Sequence, residues 1–366
     1  MSMYYNPVEV IETNNWQKEC INAQKSLGIQ NPLVITSEGN LKRNNLPSIF
    51  NPESIFSDIK PDPTFDSCQK GIEYINMSKF DGVIAIGGGS VMDTAKVVMA
   101  AMGTDIFDLA ELLKFTKPYK KISPSIFIPT THGTGSEVTM WGTIWDMDEK
   151  RKYSLSHTDL YPSTAILDGN LALSLPLDIS IITMMDALSH SFEAIWNKNA
   201  NETSTLYAIE AISLILQNAE DFKKNPIDLD IRKKLLKAAN KAGLAFSNTK
   251  TAAAHSISYP LTIHYEIPHG VASSISLIPL LKINGELIKD SLDIIYSKNK
   301  MTFEQLIESI KSIPNNLSQF TLKDWGIPID QLPKLVNESF TKGRMDNNIT
   351  NLTENDVKWI LENIYN

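Results

Sequence analysis

Short, continuously apolar runs punctuate residues 1–175. Pro32-Leu33-Val34-Ile35-Thr36, Ser54-Ile55-Phe56-Ser57-Asp58-Ile59, Gly82-Val83-Ile84-Ala85-Ile86 and Ser125-Ile126-Phe127-Ile128-Pro129 read as strands. A strand covered on both faces is apolar throughout rather than alternating, the mark of a parallel sheet sandwiched by helices. Asp66–Ser78, with Ile72, Ile75 and Met77, and Val91–Met102 read as intervening helices. Strand–helix alternation predicts βαβ units and an open parallel sheet. From Pro176 the period changes. Asp178–Trp196, Glu202–Phe222, Ile231–Phe246, Val271–Ile283, Phe303–Ile313, Ile329–Phe340 and Glu354–Ile364 repeat apolar residues at three- and four-residue spacing. The pattern therefore predicts an α/β domain over 1–175 and an all-helical domain over 176–366, with Pro176 opening the first helix of the second.

The length, 366 residues, agrees with two domains. Hydrophobic residues at 42% and charged residues at 21% exclude disorder and coiled coil. A net charge of −8 with no Lys/Arg block predicts no nucleic-acid partner and no anionic membrane surface. Two cysteines, Cys20 and Cys68, exclude a disulfide scaffold and a zinc ribbon. The N-terminal residues lack a basic segment followed by an apolar run, and no uninterrupted apolar run reaches the ~18 residues of a membrane span. The expectation is a soluble cytoplasmic protein.

Two loops carry candidate chemistry. Ile86-Gly87-Gly88-Gly89-Ser90-Val91-Met92-Asp93 follows a strand and opens a helix. Its glycines let backbone approach a ligand, and the helix start offers N–H groups and a positive dipole end, which suits a pyrophosphate. It is not the G-x-G-x-x-G fingerprint, because Met92 occupies the third glycine position. A tight strand-to-helix turn without ligand uses the same residues. Thr130-Thr131-His132-Gly133-Thr134-Gly135-Ser136-Glu137 follows the next strand. Ligands in open α/β sheets bind at such strand ends. The same hydroxyls, Thr134 or Ser136, also suit a helix cap.

Asp186 and His190, four residues apart in a predicted helix, share one face. His255 starts another helical stretch, and His269 lies between Pro268 and Gly270. One carboxylate with three imidazoles suits a divalent transition metal, and a carboxylate in so apolar a helix needs a charged partner. A hydrogen-bonded core or surface histidine is the commoner state of any one of them.

Gly87-Gly88-Gly89-Ser90-x-x-Asp93-x-Ala95-Lys96, Pro129-Thr130-Thr131-x-Gly133-Thr134-Gly135-Ser136-Glu137, Asp186-x-x-x-His190-x-x-Glu193, His255 and Pro268-His269-Gly270, in this order, resemble the iron-containing (group III) alcohol dehydrogenase family. The resemblance implies an N-terminal α/β domain with a parallel Rossmann-like sheet and an all-α C-terminal domain, the architecture also of dehydroquinate synthase. It implies that Asp186, His190, His255 and His269 hold one divalent metal, Fe²⁺ ahead of Zn²⁺. It implies NAD or NADP as cofactor, contacted by Gly88, Gly89, Ser90, Asp93, Thr130, Thr131 and Thr134, with Lys152 near the ribose. Such an enzyme interconverts a small aldehyde and its primary alcohol and works as a homodimer or higher homo-oligomer. A dehydroquinate-synthase-like lyase is the alternative, for which a Glu with two His is the expected ligand set.

Three positions depart from the common pattern. Tyr259 stands where many members carry a further His, four residues after His255, and is the candidate catalytic residue. Ser37 stands where NAD-preferring members carry a ribose-binding Asp; with Lys42 and Arg43 near, it permits NADPH, while Glu38 opposes it. Trp141 replaces a smaller polar residue near the nicotinamide. The segment His255–His269 is similar to that of phosphonoacetaldehyde reductases, which implies conversion of phosphonoacetaldehyde to 2-hydroxyethylphosphonate. A phosphonate needs cationic or imidazole donors, for which Lys250, His264 and Arg344 are the candidates.

Overall fold

The computed structural model describes residues 3–121, 123–146, 149, 151–314 and 319–366. Its strands are β1 (Glu9–Glu12), β2 (Pro32–Thr36), β3 (Ile55–Phe56), β4 (Gly82–Gly87), β5 (Ser125–Pro129), β6 (Trp141–Asp146), β7 (Arg151–Ser156) and β8 (Thr164–Leu167). Six of them form a parallel sheet in the order β1-β8-β5-β4-β2-β3. β6 and β7 form a separate antiparallel hairpin, Trp141 opposite Ser156.

The continuous apolar runs are explained by two cores, one on each sheet face. Leu33, Ile35, Val83, Ala85 and Phe127 point to one face, and Val34, Ile84, Ile86, Ile126 and Ile128 to the other. Alternate residues of each strand are thus buried on opposite sides, so no position is left for a polar residue. α1 (Trp16–Leu27) covers the second face with Trp16, Cys20 and Ala23. After α2 (Glu38–Arg43), α3 (Phe65–Tyr74) and α4 (Gly89–Thr104) cover the first, followed by the short α5 (Leu109–Leu112). The strand expected over 54–59 is only β3, two residues long. Pro52 opens a 3-10 turn before it, and β3 sits at the sheet edge, paired to β2 through Val34 and Ile35 alone.

The helical part comprises α6 (Leu177–Ile195), α7 (Glu202–Lys224), α8 (Leu229–Thr249), α9 (Ala253–Tyr265), α10 (His269–Ala272), α11 (Leu277–Asn284), α12 (Lys289–Asn299), α13 (Phe303–Ser312), α14 (Leu332–Glu338) and α15 (Glu354–Asn363). α7 starts with a capping box between Asn201 and Ser204, and α6, α7 and α8 pack side by side. The helix expected over 271–283 is broken between α10 and α11. There Ser274 returns its hydroxyl to Gly270 O and Ser273 turns its own to Asp186, the competition by which serine interrupts helices. Within His269–Asn299 an 18-residue window has mean hydropathy 1.3, apolar enough to cross a membrane, but 67% of that window is buried inside the protein.

Two compact units result. Asn6–Thr131 and Ser136–Ser174 form one; residues 3–5, 132–135 and 175–366 form the other. The expected boundary at 175/176 thus misses two short excursions into the helical unit. Tyr4 donates to Leu244 O and Tyr5 N to Asn248 Oδ1, at 3.0 and 2.8 Å. Gly135 lies against Gly243 so closely that a Cβ would come within 2.4 Å of its Cα.

Candidate metal and cofactor sites

α6 carries Asp186 and His190 one turn apart, both facing inward because fourteen residues of this helix are buried. α9 presents His255 from its first turn, and Pro268 starts α10 so that His269 is its first residue. Asp186, His255 and His269 each offer a donor atom within 4.8 Å of the others. His255 Nε2 and His269 Nε2 stand 3.7 and 4.0 Å from Asp186 Oδ1. His190 falls outside this tightest set but adjoins it: its Nδ1 is 3.8 Å from Asp186 Oδ2, and its ring stacks on His255, 4.5 Å between centroids. His190 Nδ1 is buried with no hydrogen-bond partner. A buried imidazole nitrogen turned to a carboxylate but not bonded to it fits a cation between them.

Burial pushes the Asp186 carboxyl up, but His190, His269 and His255, with the Ser273 hydroxyl at 2.7 Å, outweigh it and hold it at about 2. Behind His255 lies Glu193, one further turn along the same face of α6. Its carboxylate takes the His255 backbone N–H at 3.1 Å and closes a short contact with His255 Nδ1. A proton on Nδ1 leaves the Nε2 lone pair facing Asp186. Burial pushes the Glu193 carboxyl up to about 7 against the pull of these N–H groups and of His190. In the sequence Glu193 is marked only by its place seven residues after Asp186, on the same face of α6.

The other expected residues gather at the C-terminal ends of adjacent strands. Ser37 follows β2 and caps α2, accepting from Asn40 N at 3.4 Å. Gly88 caps α4 after β4, with Gly89 and Ser90 in its first turn. Thr130 and Thr131 follow β5. Thr130 N donates to Gly87 O at 3.0 Å, and Asn40 Nδ2 donates to Thr130 Oγ1 at 3.3 Å. A Cβ on Gly88 would come within 2.9 Å of Thr131 Cγ2, so the two loops touch. Ser37, Gly88, Thr130 and Thr131 thus share one end of the sheet, where the start of α4 has no side-chain cap.

Asp93 has a different setting. Its carboxylate accepts from Ser136 Oγ at 2.8 Å and Thr143 N at 3.0 Å. Beside it the fully buried Lys96 ammonium reaches Ser136 O, Ser136 Oγ, Thr139 Oγ1 and Trp141 O at 2.7–2.9 Å. Burial lowers Lys96 to about 8 and raises Asp93; each partner's charge opposes the shift of the other. This cluster ties α4 to the segment that enters β6. Lys152, on β7, lies over the Trp145 ring at 5.0 Å. Thr134 groups with the helical unit, between two glycines that permit close packing. A Cβ on Gly133 would meet Thr183 O at 2.8 Å, and Gly135, at φ +56, meets α8.

Tyr259 sits one turn beyond His255 on α9, its hydroxyl 3.1 Å from Arg344 Nε. Of the two other expected anion donors, His264 is paired with Glu338 at 2.7 Å, and Lys250 is an exposed residue ending α8 at φ +64.

Similarity to known proteins runs through both parts of the chain. Residues 7–169 match the iron-containing alcohol dehydrogenase family, and residues 180–365 match the Fe-containing alcohol dehydrogenase family, C-terminal. Long-chain-alcohol dehydrogenase 1 of Geobacillus thermodenitrificans is 31% identical over 341 residues, 88% of this chain and 86% of its own. Aldehyde-alcohol dehydrogenase 2 of Entamoeba histolytica is 37% identical over 243 residues, 63% of this chain and 28% of its own. The chain therefore matches little more than a quarter of that relative's length. Among solved structures, the sulfoacetaldehyde reductase of Bifidobacterium kashiwanohense in complex with NAD⁺ superposes with a TM-score of 0.91 at 25% identity, over 100% of this chain and 98% of its own. A 1,3-propanediol oxidoreductase, 24% identical, shares the fold with a TM-score of 0.90 over the full length of both chains. Matched by the family in both its α/β and its helical part, the chain belongs to the iron-containing alcohol dehydrogenases.

Proposed function

We propose that this chain is a divalent-metal-dependent, NAD(P)-linked reductase of a short aldehyde with an anionic tail, phosphonoacetaldehyde being the leading substrate and 2-hydroxyethylphosphonate its product. The observation that carries the metal chemistry is the gathering of His190, His255 and His269 about the buried Asp186 carboxylate, from three helices in all. One carboxylate and three imidazoles accept Fe²⁺ or Zn²⁺, and the family favours Fe²⁺. When bound, the ion polarises a carbonyl oxygen and the reduced nicotinamide supplies hydride to the carbon. The chain's residues prepare this. Ser273 orients Asp186, Glu193 holds the His255 tautomer, and Asp186 partly neutralises the cation.

For the nicotinamide cofactor, the support is the shared strand end of Ser37, Gly88, Gly89, Ser90, Thr130 and Thr131, together with the NAD⁺ complex of the sulfoacetaldehyde reductase neighbour. We assign Lys152 and Thr134 to the same cofactor, and Asp93 to bracing the segment that borders it. The anionic tail is supported by that neighbour's name, since sulfoacetaldehyde is a two-carbon aldehyde with a tetrahedral oxyanion. The lyase alternative expects a Glu with two His; here the carboxylate is that of Asp186, and His190 adjoins the Asp186–His255–His269 group as a third imidazole. A homo-oligomeric, cytoplasmic enzyme with no nucleic-acid or membrane partner completes the reading.

The test is net oxidation of NADH and of NADPH with a panel of aldehydes, on protein loaded with Fe²⁺ or Zn²⁺, alongside metal analysis of His269→Ala. Turnover with an aldehyde and loss of metal from the variant are expected. No turnover with either metal, or full metal content and activity in His269→Ala, would refute it.

A further inference from the structure

Arg344 is one of only four arginines in a chain with thirty lysines. Its position is built rather than incidental. Nε donates to Tyr259 Oη at 3.1 Å and Nη1 to Gly343 O at 2.8 Å. The segment that bears it is fastened beside the metal-ligand residues at two points. Ser256, next to His255, donates its hydroxyl to Ser339 O and accepts from Thr341 N at 3.0 Å. Asn347 Nδ2 reaches Thr251 O, just ahead of α9, and Gly343 O, both at 2.9 Å.

Tyr259 follows His255 by one turn, so the two side chains share a face about 6 Å apart along the axis. Helical side chains lean toward the helix start, which tips the phenol back toward His255. The guanidinium is thereby held within one tyrosine of the Asp186–His255–His269 group. No carboxylate among the described residues pairs with it. Of the five guanidinium N–H groups, that on Nε and one on Nη1 are engaged; the second on Nη1 and the two on Nη2 are left to form a fork. That fork matches two oxygens of one oxyanion, a geometry lysine does not offer.

Resting on the reductase reading above, we infer that Arg344, aimed by Tyr259, is the receptor for the substrate's anionic tail, and that the tail is a phosphonate or sulfonate held bidentately while the carbonyl end lies at the metal ligands. Tyr259 is then a positioning residue for Arg344. The tail's binding energy, remote from the reacting carbon, is available to orient the carbonyl.

The experiment compares wild type, Arg344→Met, Arg344→Lys and Tyr259→Phe as metal-loaded protein. Two readouts are taken: kcat/KM for phosphonoacetaldehyde, sulfoacetaldehyde and propanal, and calorimetric titration with ethylphosphonate, which has no carbonyl to reduce. Arg344→Met is expected to lower the anionic-to-neutral kcat/KM ratio and the ethylphosphonate affinity by ~10- to 100-fold, the worth of a charge-assisted pair. Arg344→Lys, with charge but no fork, falls between. Tyr259→Phe removes one neutral acceptor and lowers the ratio ~2- to 10-fold; it keeps the claim testable should Arg344→Met fail to fold. A larger drop for the phosphonate than for the sulfonate identifies which tail the fork serves. Wild-type preference and ethylphosphonate affinity that survive Arg344→Met overturn the inference while leaving the reductase reading intact. Arg344-dependent ethylphosphonate binding without turnover of any aldehyde does the reverse.

Discussion

His132 offers a quantitative check on how the helical unit is packed. Its ring is 1% exposed, edge-on to Phe222 at 6.2 Å, and neither ring nitrogen has a hydrogen-bond partner. Burial, with the Arg232 cation nearby, lowers its pKa from 6.5 to about 3. Between these values the unfolded chain binds a proton that the folded chain refuses, so stability falls as pH drops below 6.5. The slope there approaches ~1.4 kcal/mol per pH unit, and the shift as a whole corresponds to a ceiling of roughly 5 kcal/mol. From pH 7.5 to pH 5 the expected loss from this residue is about 2 kcal/mol. His132→Phe removes the titration. Repacking a larger ring shifts stability at every pH alike, so it cancels in the difference between two pH values. Urea unfolding of both proteins at pH 7.5, 6 and 5 measures the effect. The variant should lose about 2 kcal/mol less than wild type on acidification. Equal losses would show that His132 is solvated or hydrogen-bonded, and the reasoning from burial would fall.

Two further outcomes follow from the α/β unit. Ser37→Asp retains a side chain able to cap α2, so the fold should persist, while its carboxylate faces a 2′-phosphate; the NADPH-to-NADH ratio of kcat/KM should drop, and an unchanged ratio would remove Ser37 from the ribose. Lys96→Met removes a buried cation that offsets the charge of Asp93 and strips three residues' oxygens of their donor, for an expected loss of about 3–5 kcal/mol in urea unfolding. A loss under about 1 kcal/mol would mean that the cluster is solvated.

The apolar runs by themselves determined β2, β4 and β5 to within about one residue, because a strand buried on both faces has no polar position to blur its edges. They determined α6, α7 and α8 for the corresponding reason, since each has a long inward face at helical spacing. Order and spacing also carried the family, whose motifs are local. β3 is shorter than its apolar run because the length of an edge strand is set by its one neighbour, and the break between α10 and α11 does not show in the spacing because its cause, the Ser273 hydroxyl turned to Asp186, is a contact across the fold. The i,i+4 relation of Asp186 and His190 was legible within one helix; the approach of His255 and His269 was decided by how α9 and α10 pack beside α6. Likewise the smallness of Gly133 and Gly135 has a cause that the sequence does not record, since helices press on both. Among Lys250, His264 and Arg344 sequence offers no choice, since charge is all it records. The tertiary structure separates them: one ends a helix in solvent, one already holds a carboxylate, and one is aimed by a tyrosine one helical turn from His255.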